Sequence, residues 1–350
     1  MQKANRMILP SDPRILYQGR FDLSDPDTPR FDWPGTAIHV RIKGTGCRFI
    51  LEEELDANAY TIIIDGVPGK SFVATPSNAI VAADGPSDQS HSIALFKRSE
   101  SENHAARFKG IDLDKGAELL APPILSDRRI EFIGDSHTAA LAVEAIDWSN
   151  ITILSHNAGR SYAAITARHF GADFHLCASS GKGLVHNHSD PEKQSRFPLP
   201  ALYERSLVSS ETSRWDFSRW VPRIVVINAG TNDFAERFEM LQDPAKTIAD
   251  ESVFQEAYHR FIGLIRQRYP GVFIVMMGPF DPCGGKERAA EVVKRVFDEE
   301  CSSGNKNIQF HQYPSFTDGD YVCCHPGIVY HERIAESLIR CIEEKKCWDC

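Results

Sequence analysis

The sequence has no long apolar run and no excess of positive charge. No segment reaches the roughly 18 consecutive apolar residues of a membrane-spanning helix, so we expect no membrane partner. Residues 1–8 lack the apolar core of a secretory signal. We therefore expect either a cytoplasmic protein or an extracellular one whose signal has been removed. The formal net charge of −9 argues against nucleic acid as a partner, because proteins that bind its backbone carry basic surface.

The nine cysteines do not form a recognisable redox or metal motif. An odd number leaves at least one thiol unpaired even if the others form bridges. Cys347 and Cys350 make a C-x-x-C pair, but they lie at the end of the sequence, without the strand and helix of a thioredoxin site. The adjacent Cys323 and Cys324 do not supply the second pair of a zinc knuckle. We therefore interpret the C-x-x-C pair as a structural bridge or an inert tail, and expect no metal.

The length and composition predict two ordinary globular domains. The chain has 350 residues, of which 42% are hydrophobic and 25% charged, so it is long enough to bury a large core. The first part alternates apolar and polar residues, as at Ile38, Val40 and Ile42, which is the period of half-buried strands. Turn residues recur between such segments, which is typical of a sandwich. We predict a β-sandwich, jelly-roll-like domain over residues 1–122.

Residues 123–350 show a different pattern, in which short apolar runs alternate with helical ones. The clearest helix is predicted over residues 252–269, with apolar residues on one face and Pro270-Gly271 at its end. Such alternation predicts an α/β domain with a parallel sheet flanked by helices, whose active residues gather at the carboxyl ends of the strands. The predicted strands are 129–133, 151–154, 174–178, 224–228, 272–277 and 308–310.

Ser136 is the candidate nucleophile. It follows the apolar strand 129–133 in the sequence Gly134-Asp135-Ser136-His137, where a tight turn presents the hydroxyl above the sheet. A serine hydroxyl needs a base within hydrogen-bond reach. We assign that role to His325, which precedes Pro326-Gly327 and the last amphipathic helix, although for any single histidine a solvated loop is the simpler interpretation.

Three donors are candidates for stabilising the oxyanion that forms when an acyl carbonyl is attacked. They are the backbone N–H groups of Ser136 and Gly181 and the side-chain amide of Asn232. The glycine-rich segment 179–183 remains open to interpretation as a flexible loop or a weak phosphate cradle. Asn232 taken alone could simply cap a helix.

These residues together resemble a known family. The four sequence blocks of the SGNH (GDSL-like) hydrolases are similar to Gly134-Asp135-Ser136, Gly181, Gly230-Thr231-Asn232-Asp233 and His325-Pro326. More narrowly, residues 12–345 resemble carbohydrate esterase family 2, which pairs an amino-terminal β-sandwich with an SGNH domain. The supporting stretches include Tyr17-Gln18-Gly19-Arg20, Phe31-Asp32-Trp33-Pro34-Gly35, Lys97-Arg98-Ser99-Glu100 and Trp215-Asp216-Phe217.

The resemblance implies removal of acetyl groups from polysaccharides such as xylan or glucomannan, without a cofactor. It implies that Ser136 is acylated and that water activated through His325 then releases acetate. The oxyanion contacts carried over from the family fall on Ser136, Gly181 and Asn232. The partner expected is therefore an acetylated oligosaccharide or polysaccharide, and the oligomeric state is left open.

The chain departs from the family pattern at two positions. The superfamily usually has an aspartate three residues before the histidine, and that position is Val322. We therefore expect a Ser136–His325 dyad, with Asp318 and Asp320 as the nearby carboxylates that could orient the imidazole. Cys324 stands where several family members have a tryptophan that lines the sugar cleft.

Two other functions remain open at this point. One is a general short-chain acyl-ester or lysophospholipid hydrolase, since the same blocks serve many substrates. The other is a non-catalytic carbohydrate-binding protein, in which Phe31 and Trp33 would stack on sugars, although a core or interdomain contact is the simpler interpretation of this pair.

Overall fold

The computed structural model describes most of the chain. The described residues are 6–54, 58–76, 80–84, 89–100, 104–124, 126–188, 190–235, 249–279, 287–317, 319–322 and 324–348. Within this part of the chain, no helix is both long enough and apolar enough to cross a membrane.

The amino-terminal part consists of two antiparallel sheets. Their strands are β1 (Arg6–Ile8), β2 (Leu16–Gln18), β3 (Arg30–Phe31), β4 (Ala37–Lys43), β5 (Gly46–Glu52), β6 (Asn58–Ile64), β7 (Val67–Ala74), β8 (Ile80–Asp84), β9 (Ser90–Lys97), β10 (Ala106–Leu113) and β11 (Glu118–Leu119). One sheet has the order β1-β10-β5-β8 with β3 on β10, and the other has the order β11-β4-β9-β6-β7 with β2 on β4.

A shared apolar core holds the two sheets together. Phe49 and Phe108 from the first sheet and Val40 and Ile93 from the second belong to one buried cluster. Along β4 the predicted alternation is observed, since Val40 and its neighbours at every second position are buried whereas Lys43 is exposed. The prediction of a sandwich is therefore confirmed, because burial of one face of each sheet requires them to pack against each other.

The carboxyl-terminal part contains a five-stranded parallel sheet of order β13-β12-β14-β15-β16. Its strands are β12 (Arg129–Gly134), β13 (Asp173–Ala178), β14 (Ile224–Asn228), β15 (Phe273–Gly278) and β16 (Ile308–Gln312), and a separate hairpin pairs β17 (Tyr321–Val322) with β18 (His325–Pro326). The helices are α1 (Ser136–Ala139), α2 (Tyr162–His169), α3 (Leu199–Tyr203), α4 (Thr231–Phe234), α5 (Glu251–Arg268), α6 (Arg288–Ser302) and α7 (Ile328–Glu344).

Helices cover both faces of this sheet. Val225 and Ile227 of β14 pack with residues of α5 and α6 on one face. Ile224 and Val226 pack with residues of α2 and α7 on the other face. Continuous apolar strands are typical of parallel sheets buried on both sides, and the predicted α/β class is confirmed.

The strand predicted over 151–154 is wrong. That segment follows the short 3-10 helix Trp148–Asn150 and runs into a second one, Ile153–Ser155. Local side chains satisfy the backbone there, because the Asp147 carboxylate accepts from Ser149 N and the Ser155 hydroxyl accepts from Thr152 N. Because these side chains satisfy the backbone hydrogen-bonding groups locally, the segment does not require pairing with a neighbouring strand.

The long helix was predicted almost to the residue. Helix α5 begins at Glu251 and ends at Arg268. Asp250 caps its first turn by accepting from Ser252 N at 2.8 Å. Its buried face consists of Phe254, Ala257, Tyr258, Phe261, Ile262 and Ile265.

A buried polar interface joins the sandwich to the parallel sheet. Arg20 from the sandwich forms a 3.0 Å ion pair with Glu131 of β12, and both side chains are almost completely buried. The Tyr203 hydroxyl donates to the same carboxylate at 2.6 Å. Nearby, Asp32 accepts from Val208 N at 3.0 Å, and burial raises the pKa of Asp32 to about 6. Buried polar contacts of this kind fix the relative placement of the elements that carry them.

The proposed sugar-stacking role of Phe31 and Trp33 is wrong. Phe31 is buried in the sandwich core against Phe21 and Tyr60. Trp33 is fully buried, and its indole N–H donates to Ser206 O at 3.1 Å across the interface. The simpler interpretation, a core and interdomain contact, is the one that the structure supports.

Candidate active site

A tight strand-to-helix turn presents Ser136. Strand β12 ends at Gly134, Asp135 caps α1 by accepting from His137 N at 3.0 Å, and Ser136 is the first residue of that helix. A Cβ atom at Gly134 would overlap the Thr138 hydroxyl and come within 2.8 Å of Asn228 O. The turn therefore requires glycine at this position, because any side chain would push the serine away from the sheet.

The structure brings Ser136 and His325 together across 189 positions of sequence. His325 Nε2 lies 3.0 Å from Ser136 Oγ. The serine is 7% exposed and the imidazole is half-buried in hairpin strand β18. At this distance the imidazole can take the hydroxyl proton as the oxygen attacks an electrophile, which is how a weak nucleophile is activated.

His137 supports the segment that carries His325. Its ring lies edge-on to the His325 ring at a centroid distance of 5.9 Å, and it also hydrogen-bonds the Cys324 backbone. Burial lowers the pKa of His137 to about 4, so this ring is neutral at pH 7. Cys324 is disulfide-bonded and has a φ of 65°, which places it in the left-handed region. The backbone just before His325 is thus held by both a covalent and a polar contact.

Asp320 contacts partners other than the imidazole. Its Oδ2 accepts from Thr317 N at 2.5 Å and forms an ion pair with Arg333 of α7. Thr317 and Arg333 are its side-chain partners among the described residues, so the hypothesis that Asp320 orients His325 is not supported by the geometry. Asp318, the other candidate orienter, lies outside the described residues. Val322 faces His325 directly in the hairpin register, as expected for a histidine without an aspartate at that position.

Gly181 lies in a tight turn at the end of β13. Lys182 N donates to Ser179 O at 3.4 Å, and Gly181 has a φ of 74° at the third position of this turn. A type II turn needs such a positive φ at its third residue, which favours glycine. A Cβ atom at Gly181 would have a single neighbour, His188 Cβ, at 3.7 Å. The backbone is therefore open to a close approach by a ligand.

Asn232 links the serine turn to the glycine turn. Its Nδ2 donates to Asp135 Oδ2 at 3.2 Å and to Lys182 O at 3.0 Å. Helix α4 is capped by Gly230, so Asn232 does not act as its cap. The Asn232 amide thus already donates to two acceptors. To donate to a substrate oxygen as well, it must share or break the longer of these bonds, the one to Asp135. The three predicted oxyanion donors thus lie at neighbouring strand ends, since β12 pairs with both β13 and β14.

Two buried aspartates, which were not predicted from the sequence, organise this edge of the sheet. Asp233 accepts backbone N–H bonds from Leu184, Val185 and His186 at 2.8–2.9 Å. Burial raises the pKa of Asp233 to about 6 and that of Asp135 to about 7. Asp135 and Asp233 lie next to Ser136 and Asn232 in the motif blocks, and this position is the sequence feature that could have indicated their role. Among the described residues, no three His, Cys, Asp or Glu side chains cluster to hold a metal ion.

Family models match both parts of the chain. The model described as carbohydrate esterase 2 N-terminal matches residues 17–123. The model described as GDSL-like lipase/acylhydrolase family matches residues 132–301.

Curated relatives carry esterase names. The chain is 34% identical over 345 residues to the cellulase/esterase CelE of Acetivibrio thermocellus. The aligned region covers 96% of this chain and 40% of CelE. This chain therefore spans less than half the length of that relative. It is 23% identical over 350 residues to an acetylxylan esterase/glucomannan deacetylase of Cellvibrio japonicus, covering 99% of this chain and 93% of the relative.

Solved structures have the same fold. An active-site mutant of a family two carbohydrate esterase from Clostridium thermocellum superimposes with a TM-score of 0.85 at 32% identity, covering 96% of this chain and 100% of that chain. A second structure of a family two carbohydrate esterase from the same organism, in complex with cellohexaose, has a TM-score of 0.83 at 33% identity and covers 95% of this chain and 99% of that chain. This chain therefore belongs to carbohydrate esterase family 2, a family of GDSL-like ester hydrolases.

Proposed function

We propose that the protein is an acetyl esterase that removes acetyl groups from xylan- or glucomannan-type carbohydrate. The single observation that carries the proposal is the 3.0 Å contact between Ser136 Oγ and His325 Nε2 at the carboxyl end of β12. Family membership supports the reaction class, and the names of the Cellvibrio japonicus relatives support the substrate class. In this proposal residues 1–122 are the sandwich domain and residues 123–350 the catalytic domain.

The proposed reaction begins with proton transfer from Ser136 to His325 while Oγ attacks the acetyl carbonyl carbon. The carbonyl oxygen gains a negative charge, which the N–H groups of Ser136 and Gly181 and the amide of Asn232 stabilise. The imidazolium then gives its proton to the departing sugar oxygen, which leaves an acetyl group on Ser136. Water, deprotonated by His325, then attacks the carbonyl carbon of that ester. As the bond to Ser136 Oγ breaks, the imidazolium returns the proton to this oxygen, so acetate leaves and the serine hydroxyl is restored. Apart from the substrate and water, each step uses only residues of this chain, and the proposal includes no cofactor.

We expect the enzyme to prefer acetyl over octanoyl esters by about tenfold or more in kcat/KM, since an acetyl-specific site does not bind the additional methylenes. A site with an apolar acyl channel would instead gain roughly 0.8 kcal/mol of binding per buried methylene. The measurement compares aryl esters that share one leaving group, so intrinsic reactivity is matched.

A higher kcat/KM for the octanoyl ester would identify a general acyl-ester or lysophospholipid hydrolase instead. Retention of acetylated oligosaccharide without release of acetate would identify a carbohydrate-binding protein. Acetate release from acetylated xylo- and manno-oligosaccharides, compared at equal acetyl concentration, then tests the polymer class.

A further inference from the structure

The segment that follows β9 leaves the sandwich and runs along the catalytic domain. Arg98 remains bonded to the sandwich, because its N–H donates to Ala59 O at 2.8 Å. On the other side, Arg98 O accepts from Ala158 N at 2.9 Å, and its guanidinium donates to Leu154 O at 2.8 Å and pairs with Glu144. This anchor fixes where the next residues of the segment lie.

Two residues further on, Glu100 binds the turn that contains Gly181. Ser180 N donates to Glu100 Oε2 at 2.6 Å, and the Ser180 hydroxyl donates to Glu100 Oε1. One carboxylate of the sandwich therefore accepts from both donors of a residue in the other domain. Charge-assisted bonds of this kind are short and about twice as strong as neutral ones.

The position of Ser180 decides where the Gly181 N–H lies. The N–H of Gly181 belongs to the peptide unit between these two residues, and the backbone angles of Ser180 set the orientation of that unit. The fully buried ammonium of Lys97 donates to the carbonyl oxygen of Ser99, the residue before Glu100, so this end of the segment is held from within the sandwich. An oxyanion donor lowers the barrier only if it is already oriented before the charge develops.

We propose that Glu100 is a positioning residue for the oxyanion hole, so that the sandwich domain completes the active site and is not a separate module. The inference rests on the proposed esterase function. Glu100 does not touch the substrate; it holds the peptide that carries the Gly181 donor.

The test compares Glu100→Gln and Ser180→Ala with the matched control Glu118→Gln, an exposed carboxylate on β11 of the same domain. For Glu100→Gln we expect kcat on an aryl acetate to fall by about 10- to 100-fold, which is less than the roughly 100- to 1000-fold effect of deleting a donor. KM should stay within about twofold, because the contact acts on the transition state. Ser180→Ala keeps the backbone bond to Glu100 and should lose less activity.

The affinity for a boronic acid that adds to Ser136 distinguishes positioning from a general effect on stability, because the adduct resembles the oxyanion intermediate. We expect this affinity to fall in Glu100→Gln in proportion to kcat/KM, while the thermal unfolding midpoint stays equal to that of Glu118→Gln. Unchanged kcat in Glu100→Gln overturns the inference and leaves the esterase function intact. The inference is also overturned if activity falls only as far as the thermal unfolding midpoint falls, while the folded protein binds the boronic acid with wild-type affinity. An inactive wild-type protein would refute the esterase function and the inference together.

Discussion

Replacement of Ser136 by alanine is expected to abolish hydrolysis of a small aryl acetate, with kcat falling by roughly 10⁴- to 10⁶-fold. The reason is that the substitution removes the attacking oxygen, which is the atom that His325 Nε2 contacts at 3.0 Å. Steady-state rates on the aryl acetate, with the spontaneous hydrolysis subtracted, give the measurement.

The fold should survive this substitution. The bonds that hold the turn are made by the backbone, including Leu141 N to Ser136 O at 3.0 Å and Ala139 N to Asp135 O at 2.9 Å. Ser303→Ala is the matched control, because this exposed serine caps the carboxyl end of α6 before β16 begins, at the opposite end of the strands from Ser136. Wild-type activity in Ser136→Ala, with a normal circular dichroism spectrum, would rule out the serine mechanism.

His325→Ala is expected to lose nearly as much activity as Ser136→Ala, because nucleophile and base act as a unit. Asp320→Ala and Asp318→Ala should each lose far less. Asp320 binds Thr317 and Arg333, so its removal should mainly lower the thermal unfolding midpoint by breaking the link between the hairpin and α7. The measurement is kcat/KM per folded enzyme for the three variants.

The comparison separates a dyad from a triad. Val322 stands opposite His325, so the usual aspartate position offers no carboxylate. If either aspartate variant lost as much activity as His325→Ala at an unchanged unfolding midpoint, that aspartate would complete a triad, and the dyad hypothesis would be wrong.

The parts of the molecule that follow local rules could be predicted from the sequence. The turn at Gly134 and Ser136 is formed by residues adjacent in the chain. Glycine at position 134 is required by the Thr138 hydroxyl four positions on and by Asn228 O of the neighbouring strand β14. The period of α5 and the alternation of β4 are also local properties. These patterns, together with the motif blocks, were enough to predict both the fold class and the convergence of Ser136 with His325.

What could not be predicted depends on partners far away in sequence. Nothing near Trp33 indicates that its indole is buried against Ser206, and nothing near Asp320 indicates the ion pair with Arg333. The bond between Glu100 and Ser180 crosses 80 positions and joins two domains. Likewise, residues 151–154 have the apolar composition of a strand. They do not form one because side chains cap the local 3-10 helix and because this segment pairs with no strand of the described sheet.

Rapid quenching of the wild-type enzyme with an acetyl ester, followed by peptide mass spectrometry, tests the central claim most directly. The claim is that Ser136 carries the acetyl group between the two halves of the reaction. We predict a transient acetyl mass on the peptide containing Ser136, which forms and decays at rates compatible with turnover. Acetate release at the full rate with no acetyl group on Ser136, or with the group on another residue, would contradict the account.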